Sequence, residues 1–349
     1  MKTLIYDVSN ILYRVAAVQK HKSPFARDAE PEDLVGLCMH ISLQSIYKWY
    51  SKYKPDFVVF AFEGRNNWRK QYTEIHNVRR QYKANRVQDP GMTHFYQLVD
   101  AFRDTMTHHT SICCLTVESM EGDDVIAAYC QLRETVDDEI FIVSGDRDFV
   151  QLLKFPNVKL IDPDNGKLRN QPGDKEYQAD LDYFIFLKCI RGDTGDNVPS
   201  AYPKVRETRI KEAYEDQYKR LNFLNERWTD EAGNEHRVGD LFAHNEVLMH
   251  LEKQPDELRH YLLEEVTAKI QQLGHYSHFH FLKFLGQFKL KRVGEEAHKF
   301  VDLFMNNQRF LKGESRPEVF SAESSNKIEK LRDQSRNKVS TKTNMLDFG

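Results

Sequence analysis

The residues best equipped for chemistry in this chain are acids, and they come in short glycine-punctuated groups. Asp146 and Asp148 lie in Ser-Gly-Asp-Arg-Asp-Phe, and Glu121, Asp123 and Asp124 lie in Glu-Gly-Asp-Asp. Asp193 and Asp196 lie in Arg-Gly-Asp-Thr-Gly-Asp-Asn, while Asp7 and Glu63 each close a short apolar run. Like charges gathered together raise one another's pKa unless a cation neutralises them. Hard oxygen donors without accompanying His or Cys select Mg²⁺, with Mn²⁺ able to substitute, over Zn²⁺. Two such ions roughly 3.5–4 Å apart can activate a water and stabilise the leaving oxygen of an in-line phosphoryl displacement. The adjacent Asp123 and Asp124 could serve different ions, or one could orient a ligand from behind.

Taken singly, each acid has an ordinary explanation. Acids favour the first turn of a helix, where they face the positive end of its dipole. Asp beside Gly is common in turns. What needs explaining is the conjunction, and that depends on the elements that carry the acids.

Apolar runs at 3–8, 57–62, 111–116 and 139–144 read as strands, with a weaker one at 157–161. Segments 31–52, 91–108, 121–135 and 147–154 read as the helices between them, followed by an amphipathic helix at 178–191. This alternation predicts an α/β fold, a parallel sheet with helices on both faces. All strand C-termini of such a sheet share one edge, where ligands bind. The nine acids would therefore converge on one cleft.

Residues 201–312 carry apolar residues at helical spacing over 205–224, 245–254, 255–273, 276–287 and 294–307, with 225–243 as a polar surface excursion. The expected organisation is a catalytic core over 1–200, a helical DNA-binding region over 201–312 and a flexible tail over 313–349. The tail is too poor in apolar residues to offset the entropy of ordering it.

Directly after Glu63, residues 65–86 combine Arg65, Arg69, Lys70, Arg79, Arg80, Lys83 and Arg86 with Trp68, Tyr72 and Tyr82. Cations grip phosphates and aromatic faces stack on splayed bases, so this stretch suits a single strand threaded beside the acids. Arg69 and Lys83 can neutralise charge on a transferring phosphoryl group. The competing reading is a solvated basic face with its aromatics packed inward.

Other classes are excluded or discounted. No apolar run is long enough to span a membrane, and the N-terminus is too quickly charged for a signal peptide. The five cysteines show no paired or C-x-x-C spacing, which points to a reducing cytoplasm and no structural zinc. His275, His278 and His280 lack the i, i+4 spacing of helical metal ligands. A net charge of −3 argues against a uniformly basic nucleic-acid wrapper.

Leu-Ile-Tyr-Asp-Val-Ser-Asn, Glu-Gly-Asp-Asp, Ser-Gly-Asp-Arg-Asp-Phe and Gly-Asp-Thr-Gly-Asp-Asn follow in this order over residues 1–200. They resemble the signatures of the 5′ nuclease family of flap endonucleases, polymerase-associated 5′ nucleases and phage 5′–3′ exonucleases. Trp68-Arg69 ahead of Tyr82-Lys83-Ala84-Asn85-Arg86 is similar to the T-even phage RNase H branch of that family.

The resemblance implies a helical arch near 65–108 and a helix–three-turn–helix element after Asp196. It implies metal coordination by Asp7, Glu63, Glu121, Asp123, Asp124, Asp146, Asp148, Asp193 and Asp196, with Asp124 and Asp146 central to catalysis. It assigns Arg69 and Lys83 to the scissile phosphate. Arg65, Arg79, Arg80, Tyr82, Arg86, Lys204 and Arg206 become further nucleic-acid contacts. The implied activity is Mg²⁺-dependent 5′–3′ exonuclease and flap endonuclease cutting by a monomer that removes RNA primers and 5′ flaps in phage DNA replication. Rival readings are a PIN-type endoribonuclease and a non-catalytic structure-specific DNA-binding protein.

Two departures stand out. Glu63 occupies a position where the family usually has Asp, and no glycine follows Gly195 in the hairpin. The second departure leaves Lys204, Arg206 and Arg209 to supply the grip through side-chain charge. The terminal Met345, Leu346 and Phe348 resemble a C-terminal sliding-clamp-binding peptide, and a single-strand-binding protein is a further implied partner.

Overall fold

Strand β1 (Lys2–Asp7) is buried along nearly its whole length, and that dictates layers above and below it. The computed structural model describes residues 1–22, 31–76, 78–86, 92–134 and 138–311. With β2 (Phe57–Ala61), β3 (Cys113–Leu115), β4 (Glu139–Val143) and β5 (Val158–Ile161), β1 forms a parallel sheet in the order β3-β2-β1-β4-β5. Ile5 pairs with Val59 on one side and Ile142 on the other. Side chains alternate across a strand, so Ile5, Val59, Ile142 and Leu160 enter one core while Leu4, Tyr6, Val58, Phe60 and Phe141 enter another.

The longer helices are α1 (Val8–Lys22), α2 (Pro31–Tyr53), α3 (Trp68–Ile75), α4 (Thr93–His109), α5 (Gly122–Leu132), α6 (Leu181–Arg191), α7 (Glu207–Glu215), α8 (Gln217–Asn225), α9 (Val238–Met249), α10 (Asp256–Gln271) and α11 (His278–Gln287). Helices α5 and α10 cover the first core. Helices α1, α2, α4 and α11 cover the second. A third, smaller core of Phe186, Ile190, Val205, Ile210, Ala213 and Phe223 joins α6 to α7 and α8.

The α/β architecture and the helical C-terminal region are as the sequence predicts. Several details are added or differ. Residues 148–154 wind as a 3₁₀ helix. The segment 205–224 breaks at Asp216, whose Oδ1 accepts the N–H groups of Tyr218 (2.8 Å) and Lys219 (3.0 Å) and so starts a new helix. The polar stretch 225–243 holds an antiparallel hairpin, β6 (Arg227–Thr229) with β7 (Glu235–Arg237), and then the start of α9. Within the stretch 65–108, helix α4 packs Phe95, Leu98 and Phe102 into the second core.

The predicted tail at 313–349, with Met345, Leu346 and Phe348, lies outside the described residues. Among the described residues no helix is long and apolar enough to cross a membrane. All five cysteines are buried and unpaired.

Candidate active site

The site begins where β1 stops. Asp7 is 5% exposed; its Oδ2 accepts the Ser144 hydroxyl at 2.9 Å and its Oδ1 the Asn10 N–H at 3.2 Å. The Ser144 contact ties the end of β1 to the end of β4. Chain connections leave those two neighbouring strands toward opposite edges of the sheet, the place where open α/β sheets form their binding crevice. Burial pushes the Asp7 carboxyl up to about 7; the Ser144 and Asn10 hydrogen bonds oppose this and the charge of Asp146 adds to it.

Glu63 follows β2. Its Oε2 accepts the Gly122 N–H at 3.1 Å. The next residue must be glycine, since a Cβ on Gly64 would lie 2.0 Å from the Val117 carbonyl oxygen. The Glu63 side chain is exposed along the cleft, with its carboxyl set among neighbouring protein groups. Desolvation there, with repulsion from Glu121 and Asp7, pushes its pKa to about 8.

The N-terminus of α5 brings three acids that the structure treats differently. Asp124 is fully buried and its oxygens are saturated. They accept Arg69 Nη1 and Nη2 at 2.7 and 2.8 Å, Trp68 Nε1 at 3.0 Å, Gln254 Nε2 at 3.0 Å and the Glu121 N–H at 3.0 Å. Glu121 accepts Arg69 Nη1 at 2.9 Å, the Tyr82 hydroxyl at 2.8 Å and the Lys83 ammonium. Burial would raise Glu121, but Arg69 and Lys83 outweigh it and hold the carboxyl below its ordinary range. Asp123 turns toward the cleft, 3.9 Å from Arg69. Burial drives its pKa well up despite Arg69, and Asp124 and Glu121 push the same way.

The remaining acids sit on two tight loops. Asp146 Oδ1 accepts the Asp148 N–H at 2.9 Å. Asp148 pairs with the Lys188 ammonium, which also reaches Asp193 at 3.3 Å. Burial raises the Asp148 pKa against Lys188, and Asp146 adds to the rise. For Asp193, Lys188 and the Asp196 N–H overcome burial and lower it. Gly192 has a φ of +72°, and a Cβ there would stand 2.4 Å from the Val198 carbonyl oxygen. Glycine thereby permits the reciprocal Asp193–Val198 backbone bonds of 2.9 and 2.7 Å that present Asp193 and Asp196. Asp196 accepts the Tyr82 hydroxyl at 2.8 Å and lies 3.9 Å from Lys83.

Asp7, Asn10, Tyr13, Arg14, Glu63, Lys83, Arg86, Glu121, Asp123, Asp146, Asp148 and Asp196 thus line one open cleft of about 400 Å³. Asp7, Glu63 and Asp146 have no cationic partner within ion-pair reach among the described residues. The acids ring the cleft: among the described residues no three converge into a ready-formed metal cage.

Four sequence-based roles need correction. Arg69 is 1% exposed, and its guanidinium is held by Glu121, Asp124 and the Leu248 carbonyl at 2.7 Å, so it is not placed to touch a phosphate. Asp124 has no lone pair left for an ion and belongs beneath the cleft. Tyr82, 3% exposed, offers no face to a base and instead bridges Glu121 to Asp196. Asp193 is drawn to Lys188 at the margin rather than into the cleft wall.

Among the proposed nucleic-acid contacts, Arg86 lines the cleft on Asp196, Arg65 pairs with Asp100 at 3.6 Å and Arg79 stacks over Trp228 at 5.0 Å. Arg80, Lys204 and Arg206 are exposed. Sequence reasoning missed Lys188, which reads locally as an ordinary helix-face lysine, and Tyr13, Asn10 and Arg14 on α1, whose only signal is helical spacing from Asp7.

The fold and this cleft define a parallel α/β protein with an acidic site at the carboxyl ends of its strands. The sequence profile of the 5′-3′ exonuclease, N-terminal resolvase-like domain matches residues 2–180, and the chain belongs to that family. DNA polymerase I of Rhizobium leguminosarum is 34% identical over 122 residues, 34% of this chain and 11% of that protein. DNA polymerase I of Caldicellulosiruptor bescii is 28% identical over 207 residues, 57% of this chain and 22% of that protein. The chain therefore spans a minor part of either polymerase.

The flap endonuclease Xni of Shewanella loihica is 26% identical over 199 residues, 56% of this chain and 69% of that protein. Among solved structures, the T5 D15 protein co-crystallised with metal ions superposes with a TM-score of 0.51 at 18% identity, covering 82% of this chain and 98% of that one. The bacteriophage T5 D15 flap endonuclease in complex with DNA and metal ions gives 0.50 at 17% identity over the same shares. This likeness is one of fold.

Proposed function

We propose that the chain is a divalent-metal-dependent 5′ nuclease, cutting 5′ flaps and removing RNA primers by 5′–3′ exonucleolytic and flap endonucleolytic hydrolysis in phage DNA replication. The observation that carries this reading is the excess of acid in an open cleft. Asp7, Glu63 and Asp146 face it without a cation, and Asp7 and Glu63 are pushed toward or above neutrality. An all-oxygen donor set of this charge fits Mg²⁺ or Mn²⁺.

Asp7, Glu63, Glu121, Asp123, Asp146 and Asp148 are the residues that would hold such ions. Bound there, divalent ions supply an activated water and charge for the leaving oxygen. Lys83, 16% exposed and held between Glu121 and Asp196, can turn its ammonium to a phosphate entering the cleft. Arg86 and Arg14 widen that positive rim. The helical region would hold duplex through the backbone, largely independent of sequence, with Lys204 and Arg206 among its cations. The terminal Met345, Leu346 and Phe348 would tether the enzyme to a sliding clamp, a reading that rests on sequence alone.

The test is Mg²⁺-dependent cleavage of a 5′-labelled flap, with products sized at nucleotide resolution, by wild type and Asp146→Ala. Cutting by wild type and its loss in the variant are expected. Flap binding without cutting at any Mg²⁺ or Mn²⁺ concentration makes the protein a binding module. Preference for single-stranded RNA over branched DNA makes it an endoribonuclease.

A further inference from the structure

Arg169 appears in none of the acidic or basic groups above, yet it grips the loop that carries Asp146. Its Nη1 donates to the Ser144 carbonyl at 3.0 Å and to the Asp146 carbonyl at 2.6 Å, one on each side of Gly145. Ser144 in turn orients Asp7 through its hydroxyl and accepts the Asp146 N–H on the same oxygen at 3.1 Å. One guanidinium nitrogen therefore fixes the turn that aims two of the three acids facing the cleft without a cation.

Arg169 is itself firmly mounted. Its N–H donates to the Leu160 carbonyl of β5 at 3.0 Å, and neighbouring Leu168 pairs with Ile161. The Asn170 amide exchanges bonds of 3.0 and 2.6 Å with the backbone of Gln178. On the loop's other side the Arg14 guanidinium lies against Gly145, 2.7 Å from where a Cβ would stand. The Ser144–Asp146 turn is thus held by the hydrogen bonds from Arg169.

We propose that Arg169 is a positioning residue for the metal-holding acids. It touches no substrate; it fixes the Ser144–Asp146 backbone so that Asp7 and Asp146 point at one place. This rests on the proposed divalent-ion site. Preorganisation of this kind is lost when a supporting group is removed, even where every ligand remains; support shells of metal sites are typically worth about 10–100-fold in affinity or activity.

The experiment compares wild type, Arg169→Ala, Arg169→Lys and Asp146→Asn. Mn²⁺ binding is followed by electron paramagnetic resonance, and flap DNA affinity is measured in EDTA. We expect Arg169→Ala to weaken Mn²⁺ binding by roughly tenfold or more, Arg169→Lys to fall between it and wild type, and Asp146→Asn to bind weakest. Flap affinity in EDTA should stay within about twofold, since no phosphate contact is lost. The lysine variant carries the test if the alanine variant does not fold. Unchanged Mn²⁺ binding in both Arg169 variants, absence of saturable binding by wild type, or loss of flap affinity with Mn²⁺ binding intact each overturns the proposal. Should wild type bind Mn²⁺ yet cut no flap, the nuclease reading fails while the Arg169 comparison remains readable.

Discussion

Arg69 and Asp124 meet side by side beneath the cleft floor, through parallel contacts of 2.7 and 2.8 Å between fully buried groups. The pair joins three segments. Arg69 lies in the first turn of α3, Asp124 in the first turn of α5, and the Leu248 carbonyl and Gln254 bring in the end of α9 and its connection to α10. It is the joint between the helical region and the carboxylates of α5.

Breaking this joint should first cost stability. Removing one partner of a buried ion pair leaves an uncompensated charge, typically about 3–5 kcal/mol. Arg69→Ala should lose stability on that scale in urea unfolding, and Arg69→Met with Asp124→Leu should recover part of it. A fully stable Arg69→Ala that only binds flap DNA less well would restore Arg69 to the phosphate.

Lys83 should behave in the opposite way. Its ammonium borders the cleft, so Lys83→Ala should leave the fold intact and slow single-turnover cleavage by about 10²–10³-fold, as loss of a preorganised charge does. A slowing of less than about tenfold would place the phosphate elsewhere.

The Asp7 carboxyl gives a pH signature. Its pKa is about 7 when folded against 3.8 ordinarily. Between those values the folded chain keeps a proton that the unfolded chain has released. Without divalent ions its contribution is therefore full below about pH 4 and declines as pH rises to 7, by at most about 4 kcal/mol. In EDTA, Asp7→Asn should flatten the urea midpoint over that range relative to wild type. Identical slopes would refute it.

Divalent ions should reverse that loss. At a hundred times its dissociation constant a ligand specific for the folded state adds about 2.7 kcal/mol. Mn²⁺ should raise the melting temperature more at pH 8 than at pH 5.5, because the acids must ionise to hold it. Asp7→Asn should blunt the rise. An equal rise at both values would mean that Mn²⁺ acts elsewhere.

Deleting residues 340–349 should leave cutting of free oligonucleotides unchanged while weakening stimulation or recruitment by a sliding clamp. Equal clamp binding by full-length and truncated protein would reject the tether.

The acids were legible because they stand at strand ends or in short glycine-punctuated groups, features that local sequence displays. The sheet was legible because strands buried on both faces are continuously apolar. The role of Arg69 was not. Its carboxylate partners stand 52 and 55 positions away, and nothing around it distinguishes a buried guanidinium from a solvated one. Tyr82 was misread for the same reason: its bridge to Glu121 and Asp196 closes over 39 and 114 positions. The hairpin at 227–237 was hidden by its polar outer residues, with Trp228 anchored inward at the Ala201 carbonyl.

Strand β1 alternates between two cores and stops at Asp7, which makes chain length there more stringent than chemistry. Swapping one apolar residue for another leaves the alternation intact. Losing a single codon would exchange the cores' contents and draw Asp7 back from the carboxyl edge of the sheet. The β6–β7 turn, exposed around Gly233, has no such clock to keep. Insertions should therefore accumulate at that turn during the protein's divergence, and β1 should vary in its letters but never in their number.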